Sequence, residues 1–179
     1  MSPSRFIVEW SERIAREHGL STRLEAGPEL RALDVAMGRG RHAVPLARAG
    51  FRTFGVDLKP VAVRDAIAAG ARAGVRIQGW CADLTQYPLP QSAFDLIVVC
   101  RYLQRDLFPA LRAALAPGGV LLYETFTTAH RQTGRPPTSA DHLLEPGELR
   151  KAFDDVDVMF YEEAVVPEAV ARLAARSRS

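Results

Sequence analysis

The sequence predicts an α/β protein with a doubly wound, mostly parallel seven-stranded sheet, helices on both faces and an antiparallel C-terminal strand. Three observations carry that expectation. Short apolar runs alternate with segments of helical period, the pattern of strands joined by crossover helices. The run FDLIVVC, unbroken and apolar after its aspartate, suits a strand covered on both faces. Gly38 and Gly40 follow the first strand-like run, where a sheet of this kind turns close to a ligand.

Taken in order, RFIVEWSERIAREHG places Phe6, Ile7, Trp10 and Ile14 on one helical face and stops at Gly19, so residues 1–20 are read as an N-terminal helical segment. LRALDVA is the first strand, followed by the glycines and a helix from Arg41 to Ala49. FRTFGVD is the second strand, PVAVRDAIAAGARAG a helix, VRIQGWCADL the third strand and FDLIVVC the fourth. RDLFPALRAALAPGG reads as a helix stopped at Pro117 and Gly118, and VLLYETF as the fifth strand. Residues 127–145 are long, polar and rich in Gly and Pro, which predicts an active-site lid loop. PGELRKAF is a short helix and VDVMFYEE the sixth strand. In EAVARLAARS the alanines favour helix, while pairing back across Pro167 favours an antiparallel strand; the strand is the reading adopted. The arginine-rich end, ARLAARSRS, reads as a solvated terminus.

Composition bounds the function. A chain of 179 residues, 47% hydrophobic and 25% charged, suits one domain over 1–179 with its own core. With 23 Lys and Arg against 21 Asp and Glu, the net charge of +2 gives no electrostatic case for nucleic-acid binding. No apolar run approaches a membrane span, and MSPSRFIVEW lacks the features of a secretory signal, so a cytoplasmic protein without membrane contact is expected, as monomer or homodimer. Cys81 and Cys100 form no metal-binding pattern, and no metal is expected. With the first two strands lying between the third and the fourth, the two cysteines stand too far apart for a disulfide, which needs Cα atoms within ~7 Å.

The glycines raise a question of ligand, because Asp34 stands just ahead of them. A carboxylate there repels a pyrophosphate but welcomes a ligand bearing an ammonium and a cationic sulfur, which describes S-adenosylmethionine. The alternative is an Asp that only caps the following turn. Asp57 ends the second strand, 17 residues past Gly40, where a carboxylate accepts from both ribose hydroxyls; nicotinamide cofactors use the same device. Asp83 follows the third strand, placed to accept from the adenine amine while Leu84 packs on the ring.

With LDVAMGRGRHAVPLARAGFRTFGVDLKP, CADL, FDLIVV and LAPGGVLLYETF, the chain from Leu30 to Phe153 resembles the class I S-adenosylmethionine-dependent methyltransferases, whose fold is Rossmann-like. Within them, RGRHA and LLEPGELRKAF make it most similar to the small tellurite-resistance-type methyltransferases, a likeness that transfers no substrate. The resemblance implies that Asp34, Ala36, Gly38 and Gly40 line the methionine part of the cofactor, Asp57 and Leu58 the ribose, and Asp83 and Leu84 the adenine. It also implies that Cys100, opening CRYLQRD, meets cofactor and acceptor. Met37 departs from the small residue or Cys common there, and is expected to narrow or reshape the site.

The acceptor side is less specified. CRYLQRD lacks the Asn/Asp-Pro-Pro-aromatic motif of many amino-group methyltransferases, which argues against nucleic-acid bases and glutamine amides. The lid carries His130, Arg131 and Arg135, with Arg101 and Tyr102 nearby. Tyr102, His130 and Arg131 are the expected catalytic residues, His130 as a base, and the guanidinium groups suggest a small acceptor of anionic character. Two other readings stay open: a nicotinamide-dependent oxidoreductase, against which Asp34 and the absence of a Tyr-x-x-x-Lys pair argue, and a non-catalytic cofactor-binding partner of another methyltransferase.

Overall fold

A computed structural model describes residues 2–20 and 29–178; Met1 and Ser179, at the ends of the expected N-terminal segment and of ARLAARSRS, lie outside them. The strands are β1 (Arg31–Val35), β2 (Arg52–Asp57), β3 (Ile77–Cys81), β4 (Phe94–Cys100), β5 (Leu115–Phe126), β6 (Asp157–Ala164) and β7 (Val170–Arg176). The helices are α1 (Arg5–Glu17), α2 (Ala43–Arg48), α3 (Pro60–Arg72), α4 (Phe108–Ala114) and α5 (Glu148–Ala152). All seven strands form one sheet in the order β3-β2-β1-β4-β5-β7-β6. β1 to β5 are parallel, and β7 is antiparallel to both β5 and β6. The chain therefore winds outward from β1 to β3, crosses back to β4 and winds the other way, leaving the carboxyl ends of β1 and β4 side by side.

Side-chain alternation divides the core. Leu96 and Val98 of β4 pack with Phe6, Ile7 and Ile14 of α1 and Leu46 of α2 on one face, while Ile97 and Val99 pack with Phe108 and Leu111 of α4 and Leu149 of α5 on the other. That double burial is why FDLIVVC shows no polar alternation. α1 also reaches the outer strands, where Phe6 and Trp10 lie 5.7 and 6.1 Å, ring centre to ring centre, from Phe160 of β6. Among the described residues no helix is long and apolar enough to cross a membrane. Cys81 and Cys100 are free thiols, with β2 and β1 between their strands.

Two expectations change. The helix expected to run to Pro117 ends at Ala114, and Leu115 already pairs with Phe94. The register then slips before Leu96 pairs with Val120. A Cβ on Gly119 would stand 2.9 Å from both the Ala116 and Phe94 carbonyl oxygens, so this Pro-Gly-Gly makes a bulge inside a strand rather than a helix stop. ARLAARSRS is not a solvated end: Leu173, Ala174 and Ala175 are buried in β7, an interior strand. The loop over residues 127–145 holds two 3-10 turns, Thr128–Thr133 and Ala140–His142, a bridge from Thr127 to Leu144, and fully buried Leu143 and Leu144. The two leucines nail the far end of the loop into the core.

Candidate active site

The turn after β1 takes left-handed backbone at Ala36, Gly38 and Gly40. A Cβ on Gly40 would meet Ala66 of α3 at 3.0 Å, whereas one on Gly38 would meet nothing within 4 Å. Gly40 thus lets the turn pack on α3, and Gly38 presents bare backbone to open space. Asp57, at the end of β2, accepts the Gly38 N–H at 2.9 Å on one oxygen and the Lys59 N–H at 2.9 Å on the other. Each oxygen keeps a lone pair for a ligand.

A cavity of about 800 Å³ opens here across the carboxyl ends of β1, β2 and β3, lined by Ala36, Gly38, Asp57, Leu58, Asp83 and Leu84. Asp83 caps its own turn, accepting from the Thr85 N–H at 2.9 Å and hydroxyl at 2.7 Å, and these hydrogen bonds hold its carboxyl below the usual range. Tyr102 and Gln104 close one side of the cavity, the tyrosine hydroxyl donating to the Gln104 side-chain oxygen Oε1.

Asp34 lies beneath this turn, 1% exposed, with one oxygen that has no hydrogen-bond partner among the described residues. Burial raises its carboxyl to about 7 against the pull of the Ala43 N–H and of Arg41. Cys100 is also buried: Arg41 donates to its sulfur at 3.6 Å, and its thiol faces Glu124 at 3.6 Å. Burial first and Glu124 second push that thiol up to about 12, so it is no nucleophile at neutral pH. Met37 does not narrow the site as expected. Its sulfur lies 2.1 Å from where a Cβ on Gly55 would stand, and it packs with Val63, Ala66 and Ile77 under α3.

Two more cavities adjoin Arg101, whose backbone is left-handed at φ 56°. One, about 550 Å³, lies beneath the segment leading into α1 and holds Arg41, Arg101, Glu124 and Arg172. Arg172 pairs with Glu124 at 2.6 Å and Arg101 with Glu168 at 2.5 Å. Its roof is tied down by the Ser4 N–H, which donates to His42 Nε2 at 3.0 Å. Burial, then Arg41 and Arg101, hold that imidazole down at about 3, neutral and able to accept. The other cavity, about 390 Å³, lies between the β5 end and the loop and includes Tyr102, Phe126 and His142. Tyr102 therefore faces both the large cavity and this small one.

The loop residues sit elsewhere. His130 is buried, its ring 4.2 Å from that of Phe126 and its Nε2 3.3 Å from the Pro136 carbonyl oxygen. Arg131 is exposed and donates to the Thr138 carbonyl at 3.2 Å; Arg135 is exposed. None of the three lines the cavities described. The sequence marks His42 only as packing or cofactor-adjacent and gives His142 no partner pattern, and the Ser4 partner of His42 comes from 38 residues away. Among the described residues no group of three or more His, Cys, Asp or Glu could hold a metal ion.

Residues 32–119 match the family model described as a methyltransferase domain. The chain is 30% identical over 166 residues to the ubiquinone biosynthesis O-methyltransferase of Methylobacterium sp. (strain 4-46), a match covering 88% of this chain and 63% of that protein. The chain thus spans less than two thirds of that relative's length. Among solved structures it is similar to an S-adenosylmethionine-dependent methyltransferase from Clostridium acetobutylicum, with TM-score 0.73, 13% identity, and 99% and 93% of the two chains covered. It is also similar to TehB from Haemophilus influenzae, with TM-score 0.70, 15% identity, and 93% and 62% covered. At these identities the two structures establish a shared fold.

Proposed function

We propose that the chain is a class I S-adenosylmethionine-dependent methyltransferase that binds S-adenosylmethionine and methylates a small acceptor. The observation that carries the reading is the cavity of about 800 Å³ with acids at successive strand ends around a bare glycine backbone. Asp57 has lone pairs for a ribose diol, Asp83 and Leu84 suit an amine-bearing adenine ring, and the unpartnered oxygen of buried Asp34 suits a cationic group. When bound, the cofactor supplies a methyl group on a good leaving group, so the protein's own work is alignment and exclusion of water.

Tyr102 is the residue we assign to alignment. It stands between two cavities, with its carbonyl fixed by the Tyr123 hydroxyl at 2.9 Å. Arg101 supports an acceptor of anionic character, since it lines the cavity of about 390 Å³ beside Tyr102. The Methylobacterium relative, described as an O-methyltransferase, favours oxygen as the methylated atom. His130 and Arg131 we read as braces that hold the loop through Pro136 and Thr138.

Calorimetric titration with S-adenosylhomocysteine and with NAD tests the cofactor. Binding of the first and not the second is expected, and the reverse would overturn the reading in favour of an oxidoreductase. Consumption of S-adenosylmethionine with a panel of hydroxylic and carboxylic acceptors tests catalysis; binding without turnover on any of them would favour a non-catalytic partner module.

A further inference from the structure

We propose that the cavity of about 390 Å³ beside Tyr102 takes a flat phenolic acceptor, and that His142 receives its hydroxyl proton while Arg105 holds His142 in place. The inference deepens the methyltransferase reading and rests on it.

The lining names the substrate class. Tyr102, Phe126, Pro136 and Pro137 give flat, apolar walls, and the volume suits a ligand of one ring. Arg101 and His142 supply the polar corners. Because Tyr102 also lines the large cavity, an acceptor here is one side chain away from the cofactor site. The histidines differ in what they can do. His42 is committed to the Ser4 N–H, and His130 is buried against Phe126. His142 is exposed at the cavity, and its ring nitrogens have no hydrogen-bond partner among the described residues. An imidazole so placed can take a proton from the cavity and release it to water.

The backbone around His142 is clamped on both sides. Arg105 donates to the Asp141 carbonyl at 3.3 Å and to the Leu143 carbonyl at 2.9 Å, while its other edge pairs with Glu148 at 2.5 and 2.9 Å. A forked guanidinium can make these four contacts at once, where an ammonium cannot. Arg105 is thus a positioning residue. In the reaction the acceptor O–H bond breaks with its proton passing to an imidazole nitrogen, and the oxygen pair forms the bond to the methyl carbon. The carbon–sulfur bond breaks with its electron pair left on sulfur, so the positive charge passes to the imidazolium and then to solvent.

The test uses 4-nitrophenol, whose phenolate is read by its absorbance, added to the whole chain with S-adenosylhomocysteine present. Wild-type protein is expected to bind it with a raised phenolate fraction. His142→Gln should bind it without that rise, and lose on the order of 100-fold in kcat/KM on a phenolic acceptor. In His142→Ala, added imidazole should restore part of the rate. Arg105→Gln should lower the phenolate fraction, Arg105→Lys should recover little of it, and Arg105→Gln combined with His142→Gln should be no worse than His142→Gln alone. S-adenosylhomocysteine affinity within threefold of wild type in each variant shows that the fold is intact. An equal phenolate fraction in wild type and His142→Gln, or no nitrophenol binding by protein that holds S-adenosylhomocysteine, overturns the proposal. Failure of S-adenosylhomocysteine to bind wild type instead overturns the methyltransferase reading beneath it.

Discussion

Asp34 shows how a single buried carboxyl couples ligand to pH. Its folded value, raised to about 7, lies above the ~3.9 of an unfolded aspartate, so the native state holds the proton more tightly. Burial therefore costs nothing through this group below about pH 4, costs more as pH rises toward 7, and levels off above; at 1.36 kcal/mol per unit the ceiling is about 4 kcal/mol. Asp34→Asn should make the ligand-free protein more stable at pH 8 than wild type and flatten the loss between pH 5 and 8, as urea unfolding at the two pH values would record. A cationic ligand offsets the same cost, so this variant should also bind S-adenosylmethionine more weakly. Asp57→Ala removes an acceptor that faces the cavity and also holds the Gly38 and Lys59 amides, and S-adenosylhomocysteine affinity measured by calorimetry should fall by about 1–3 kcal/mol. Asp57 and Asp83 were legible in the sequence because each closes or follows a strand-like run, whereas Asp34 lies within β1 and is marked only by the glycines after it. Arg105 and His142 were not, because their link runs through two carbonyls 36 and 38 residues from the arginine, and no local spacing records it.

Among the elements, β2 and β3 depend on a side chain from the turn after β1. Met37 fills the space over Gly55 and also comes within 3.0 Å of where a Cβ on Gly79 would stand, so it is confined from both strands. Gly55→Ala should cost about 1–3 kcal/mol in chemical denaturation, and Met37→Ala in that background should recover part of it, a coupling that a double-mutant cycle measures directly. Most elements could be read from their periodicity: β4 from its apolar run, α1 from Phe6, Ile7 and Ile14 on one face. The end of α4 could not. Pro117, Gly118 and Gly119 serve equally as a helix stop or as a bulge, and only the Phe94 carbonyl on the neighbouring strand decides between them. Met37 was misplaced for a related reason, since the space it fills exists only once β2 and β3 lie side by side.

For the molecule as a whole, the governing feature is that β7 sits inside the sheet, between β5 and β6. It pairs with both along nearly its full length and brings Arg172 to the buried Glu124. Deleting residues 170–179 should abolish cooperative unfolding, because it strips two strands of a partner and leaves Glu124 unpaired, whereas deleting 178–179 should change stability by no more than about 0.5 kcal/mol. Thermal melts followed by circular dichroism would separate the two outcomes. The same arrangement governs synthesis. On the ribosome β5 and β6 are both made before the strand that joins them, and 50 residues separate Phe126 from Arg176. At roughly 5–20 residues per second, the nascent chain carries the open edge of β5 for several seconds. That edge, which includes Leu121, Leu122 and Tyr123, is an apolar template open to another copy of the growing chain. Crowding of translating ribosomes on one message, or a pause between codons 157 and 170, lengthens exposure of that edge, while the finished protein never shows it.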